Sequence, residues 1–284
     1  MSPSSEDADK QDADLRGFSG RLLLVGAGKM GSALLEGWLR LGLDAKHVAV
    51  LEPEPSPQIS ALAQRGLKLN PQLTTREPID AVVLAIKPQL AAQAIAPLVP
   101  LLTASTLVVS IMAGRTLQFL SGAFAGTGAL VRAMPNTPAS IGRGITVAVA
   151  RHTDPAQRRL AHRLLCATGA VEWIEDESFM DAVTAVSGSG PAYVFLLAET
   201  LAQAGAAAGL PPALAAKLAR ETVAGSGELL HRSALDPAAL RENVTSPGGT
   251  TAAALEILMG KDGLAPLLTS AVAAATARSR QLAG

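Results

Sequence analysis

At 284 residues the chain exceeds a minimal module and points to about two domains. A composition that is 49% hydrophobic and 17% charged excludes an intrinsically disordered protein, and with only 3% aromatics the core must be filled by Ala, Leu and Val. Lys+Arg and Asp+Glu balance at 24 each, so the electrostatic footprint of a nucleic-acid or anionic-membrane partner is missing.

In chain order, residues 1–20 carry Glu6, Asp7, Asp9, Asp12 and Asp14 without an apolar stretch, which predicts a disordered tail rather than a signal peptide. From Arg21 short apolar runs alternate with helical segments: 22–25, 47–51, 81–86, 106–110, 130–132, 145–149 and 171–174. Runs of that length without polar alternation read as strands buried on both faces. Residues 21–175 are therefore expected to form an α/β domain, a Rossmann-type doubly wound parallel sheet. After Asp176 strand signals stop and Ala/Leu-rich segments at helical spacing take over, so 176–284 is expected to be all-α.

Within that part, helices are predicted near 178–208, 211–230, 237–242, 250–259 and 264–282, opened by Pro211 and Pro237 and stopped by Gly209, Gly260 and Gly263. The Ser187-Gly188-Ser189-Gly190-Pro191 insert should kink the first of them. So few bulky side chains should leave the helical part unable to close a core, which predicts at least a homodimer. No run of 18 apolar residues occurs, so no membrane span is expected. The lone Cys166 fits a reducing cytoplasm. The four histidines lack ligand spacing, and no metal is expected.

Gly26-Ala27-Gly28-Lys29-Met30-Gly31 directly follows the first strand and opens a helix. That context suits a dinucleotide: one glycine turns tightly, one admits the pyrophosphate, and one packs helix against strand. Glu52, at the end of the second strand, could accept hydrogen bonds from the adenosine ribose diol and repel a 2′-phosphate, which leans towards NADH. A solvated loop glutamate is an equally open reading, and Arg65 could reach a phosphate. Lys87-Pro88, Ala113-Gly114 and Met134-Pro135-Asn136-Thr137-Pro138 each follow a strand and should line one crevice.

Ser246-Pro247-Gly248-Gly249-Thr250-Thr251 feeds a helix start, where bare backbone N–H groups and the helix dipole would hold an anion. Its hydroxyls can donate to a carboxylate or serve a ring nitrogen. No nucleophile elbow or Ser/Cys–His arrangement suggests a covalent hydrolase.

From Leu22 to about Leu282 the chain resembles the pyrroline-5-carboxylate reductases. The likeness is carried by the glycine motif, Ala85-Ile86-Lys87-Pro88-Gln89, the Met134–Pro138 turn, DAVTAVSGSGPAYVF from Asp181 and ENVTSPGGTTAAALEIL from Glu242. The resemblance implies reduction of 1-pyrroline-5-carboxylate to L-proline by NADPH or NADH, and a helical domain that interlocks in a homodimer, commonly in rings of dimers. It also implies cofactor contacts from Gly26, Ala27, Gly28, Lys29, Met30, Gly31, Glu52, Ala85, Lys87, Pro88, Gly114, Asn136 and Asn243. Substrate would be held by Ser246, Gly248, Gly249, Thr250 and Thr251, with Thr251 serving the reaction and Glu177 near the ring nitrogen. A β-hydroxyacid dehydrogenase is the nearest rival, but Lys217 lacks the Gly-rich turn such enzymes place before their catalytic lysine.

Overall fold

The computed structural model describes residues 14–75 and 77–283. It divides into two compact units, one running to Gly188 and resuming at Ala277, the other spanning Ser189–Thr276. This break falls inside the Ser/Gly insert.

The first unit is built on an eight-stranded sheet. Its strands are β1 (Leu22–Val25), β2 (Val48–Leu51), β3 (Lys68–Leu69), β4 (Ala81–Leu84), β5 (Leu107–Ser110), β6 (Ala129–Met134), β7 (Gly144–Arg151) and β8 (Gly169–Trp173). They lie in the order β3-β2-β1-β4-β5-β6-β7-β8, all parallel to their neighbours except where β7 runs antiparallel to β6. Helices α1 (Lys29–Arg40), α2 (Pro57–Ala63), α3 (Ala91–Ile95), α4 (Leu117–Ala123) and α5 (Pro155–Leu165) connect them, and α6 (Met180–Val183) leads out of the sheet.

Period-two alternation sends Leu22, Leu24, Val48, Val50 and Val83 to a core with Leu34, Leu35 and Trp38 of α1. The intervening Leu23, Val25, Val82 and Leu84 meet Ile95, Leu117, Leu120 and Phe124 on the other face. Burying each such large side chain stabilises by about 1.5–3 kcal/mol. Trp38 is fully buried, and its indole N–H donates to the Leu164 carbonyl at 2.8 Å, so the one polar atom of that ring is satisfied.

Asp154 caps α5 in a reciprocal box with Gln157. Leu15 is also fully buried, and its N–H donates to the Leu41 carbonyl at 3.0 Å. The chain therefore packs onto the sheet unit before residue 20, correcting the expected extent of the tail; Glu6, Asp7, Asp9 and Asp12 lie outside the described residues.

The second unit is helical: α7 (Gly190–Ala207), α8 (Pro212–Arg232), α9 (Pro237–Asn243), α10 (Thr250–Leu258) and most of α11 (Leu264–Ala283). The expected kink is a π-helical turn over Thr184–Gly188, after which α7 restarts at Gly190-Pro191. Small residues bring α7 and α8 together, since a Cβ on Gly205 would stand 3.3 Å from the Ala215 Cβ. Among the described residues of this unit only Ala215 and Ala219 are buried. Among the described residues no helix is long and apolar enough to cross a membrane.

Candidate active site

In-register pairing sets Val25 beside both Leu51 and Leu84, and Leu84 beside Ser110. The residues just beyond, Gly26, Glu52 and Ala85, therefore stand along one carboxyl edge of the sheet. The order reverses there, because β2 and β4 flank β1, and open α/β sheets bind ligands at such a switch point.

Gly26 leaves β1 at φ +91°, and a Cβ on it would meet the Ala85 carbonyl at 2.6 Å, so glycine is demanded by both conformation and space. A Cβ on Gly31 would collide with the Gly26 carbonyl, which is how helix α1 packs so closely on the loop. Gly28 has open space at its Cβ position and caps α1 without a side chain. A pyrophosphate arriving there would meet bare N–H groups at the positive end of a helix dipole, so these residues fit a dinucleotide. Lys29 and Met30 open that helix.

The loops after β4, β5 and β6 occupy the same edge. Lys87 is exposed and begins the Pro88–Leu90 turn. Gly114 follows β5 at φ +70°. Sequence reasoning missed Arg115, which donates from Nε and Nη2 to the Pro88 carbonyl at 3.3 and 3.0 Å and stacks over the Phe119 ring at 4.6 Å. It ties two of the three loops together. Asn136 anchors the third, its Oδ1 accepting from the Ile145 N–H at 3.0 Å.

Glu52 is not a solvated loop residue: its carboxylate accepts from the Ala27 N–H of the glycine loop at 2.7 Å. Glu177, expected near a ring nitrogen, has two partners within the sheet unit. Its Oε1 accepts from Arg132 Nη1 and from the Leu117 N–H, both at 2.8 Å. The Arg132 side chain is 7% exposed, and a guanidinium so deeply placed demands a counter-ion. A charge inside the apolar run Leu130-Val131-Arg132-Ala133-Met134 was the signal that such a partner existed. Asp176, just before, lies below its usual carboxylate pKa because it accepts from the Ser178 N–H.

In the helical unit, Asn243 ends α9, and the Thr245 hydroxyl donates to the Arg241 carbonyl at 2.7 Å. Ser246-Pro247-Gly248-Gly249 then closes as a turn, with the Gly249 N–H donating to the Ser246 carbonyl at 3.0 Å and Gly248 at φ +69°. Proline second and a left-handed glycine third suit a type II turn. Gly249 caps α10 without a side-chain hydrogen bond, so Thr250 and Thr251 open a helix whose first N–H groups are uncovered by any capping side chain. A carboxylate with a nearby hydrogen-bonding nitrogen is the ligand this turn can serve.

Among the described residues no group of His, Cys, Asp and Glu could hold a metal ion. Residues 177–282 match the family model described as pyrroline-5-carboxylate reductase dimerisation, and residues 21–114 match that of NADP oxidoreductase, coenzyme F420-dependent. The chain is 38% identical to the pyrroline-5-carboxylate reductase of Pisum sativum, over 91% of this chain and 94% of that one. It is 36% identical to that of Pseudomonas aeruginosa, over 93% and 97%. Among solved structures, the Coxiella burnetii pyrroline-5-carboxylate reductase superposes with a TM-score of 0.86 at 31% identity, covering 94% of this chain and 99% of that one. The Plasmodium falciparum pyrroline carboxylate reductase, solved with NADP bound, gives 0.77 at 29% identity over 94% and 99%. The chain belongs to the pyrroline-5-carboxylate reductase family, NAD(P)H-dependent oxidoreductases that reduce 1-pyrroline-5-carboxylate to L-proline in proline biosynthesis.

Proposed function

We propose that the work of this reductase is divided between its two units as follows. The cofactor contacts come from Gly26, Ala27, Gly28, Lys29, Met30 and Gly31 of the glycine loop, from Ala85, Lys87, Pro88, Gly114 and Asn136 along the sheet edge, and from Asn243. Ser246, Gly248, Gly249, Thr250 and Thr251 hold the carboxylate and ring nitrogen of 1-pyrroline-5-carboxylate. The single observation that carries the substrate half is the Ser-Pro-Gly-Gly turn leading into a helix that has no side-chain cap. The cofactor half rests on Gly28, whose Cβ position is open at the start of α1.

Bound NAD(P)H supplies the hydride that reduces the C=N carbon, while the π electrons of that bond pass to the nitrogen. The chain's part is orientation, and holding the reacting carbon at near-contact distance removes the entropic cost of encounter. An iminium accepts hydride better than an imine, so Thr251 orients the protonated nitrogen or relays its proton. Its hydroxyl is too weak an acid to be the ultimate source. Glu177 is a positioning residue that steadies β6 and the start of α4 through Arg132 and Leu117.

The helical unit, with its exposed leucines and its match to a dimerisation model, serves a homodimer and larger rings of dimers. With a single cysteine the chain cannot close an intrachain disulfide, which is in keeping with a reducing cytoplasm. The test is oxidation of NADH or NADPH by purified protein with 1-pyrroline-5-carboxylate, and its loss on Thr251→Ala. That variant should lower kcat/KM by about 10–100-fold, the value of one well-placed hydrogen bond or proton relay, and leave cofactor Kd unchanged. Equal weakening of cofactor binding would overturn the role given to Thr251.

A further inference from the structure

Glu52 is held on three sides. Its Oε2 accepts from the Ala27 N–H at 2.7 Å and its Oε1 from the Glu54 N–H at 3.1 Å. Behind it, Asn70 clamps the backbone, with Oδ1 accepting from the Glu52 N–H and Nδ2 donating to the Glu52 carbonyl, each at 2.8 Å. Asn70 reaches this position by leaving β3 at φ 46°, a conformation asparagine tolerates better than most residues. An ionised carboxylate offers about four lone-pair directions, so two acceptor sites remain after these bonds. Two vicinal hydroxyls are the donors that such a pair of sites matches.

What surrounds Glu52 narrows the choice. The next residues, Pro53-Glu54-Pro55-Ser56-Pro57, add a second carboxylate and no cation, and their prolines restrict rearrangement. The Ser56 hydroxyl is taken, accepting from the Ile59 N–H at 3.3 Å as the cap of α2. The nearby cations among the described residues are placed elsewhere. Arg65 shares a cleft with Glu36, Arg40 and Gln58, along the C-terminal half of α1. A Cβ on the adjacent Gly66 would lie 3.6 Å from the Cβ of Lys46, which precedes β2 and so stands at the opposite end of that strand from Glu52. Lys68 Nζ lies 3.7 Å from a Glu77 carboxylate oxygen. Lys29 opens α1 on the pyrophosphate side of the loop.

We infer that Glu52, fixed by Ala27 and Asn70, reads the adenosine ribose as a free 2′,3′-diol, so that this reductase discriminates against the 2′-phosphorylated cofactor and works with NADH. The inference rests on reading the glycine loop as the dinucleotide site. A 2′-phosphate would bring negative charge against a carboxylate it cannot hydrogen-bond, with no cation among the described residues of the 52–57 loop to offset it.

Calorimetry on the purified full-length protein tests this with four ligands: NAD+, NADP+, 5′-AMP and adenosine 2′,5′-bisphosphate. The member of each pair without the 2′-phosphate should bind at least about tenfold more tightly, since like charges set side by side cost that much or more. Glu52→Ser should erase most of the difference, and Asn70→Ala should weaken NAD+ while leaving NADP+ unchanged. Initial rates with 1-pyrroline-5-carboxylate should show the same order in kcat/KM for NADH and NADPH. Equal or tighter binding of the 2′-phosphorylated ligands by the unaltered protein overturns the inference and leaves the reductase reading intact, even if neither variant folds. Failure to bind any of the four overturns the dinucleotide site together with the inference.

Discussion

In the sheet unit Trp38, Leu35 and Phe124 are fully buried, whereas in the helical unit Phe195 is 68% exposed and Ile257 77%. Both units draw on the same Ala- and Leu-rich composition, so composition does not explain the difference. Geometry does. A parallel sheet offers two faces, and helices on both sides close two cores around it. The helical unit has one close helix pair, joined through residues as small as Gly205 and Ala215, and a pair of cylinders cannot shield its own outward leucines. Stability in the first unit is therefore internal, and in the second it depends on association if the proposed homodimer forms.

Three substitutions sharpen that contrast. The largest expected effect is Glu177→Ala, which strands Arg132 and uncovers the Leu117 N–H, and should cost about 3–5 kcal/mol of stability in the sheet unit at any protein concentration. Thermal melting checks it, and KM for 1-pyrroline-5-carboxylate at a temperature where the variant is folded should be unchanged. A tenfold rise in KM with unaltered melting would return Glu177 to the substrate. Next is Phe195→Asp, which sets a charge on the outward face of α7 and should weaken dimerisation by about 2–4 kcal/mol. Sedimentation velocity should then show monomer at micromolar protein. A dimer persisting with the affinity of the unaltered protein would break the comparison. The smallest is Asp154→Ala, which removes the capping box of α5 and should cost about 1 kcal/mol, independent of concentration, in chemical denaturation.

The legible parts of the site were those written in consecutive residues. The glycine motif and the Ser-Pro-Gly-Gly turn are local devices, because a tight turn and an open helix start are set by backbone freedom within a few positions. The long apolar runs of β1, β4 and β5 were equally plain, since strands buried on both faces tolerate no polar interruption. Short β3 left no pattern in two residues, and Asn70 at its end was passed over. The direction of β7 was hidden for another reason: an interior strand reads the same whether its neighbour runs with it or against it.

By itself the sequence determined the fold class, the place of the glycine loop, the Ser-Pro-Gly-Gly turn and the family's chemistry, because each depends on residue type and short spacing. Only the tertiary structure decided which donors Glu177 and Glu52 meet, since Arg132 lies 45 residues from the one and Ala27 lies 25 from the other. A carboxylate takes its role from the donors that reach it, and the folded chain alone selects those donors.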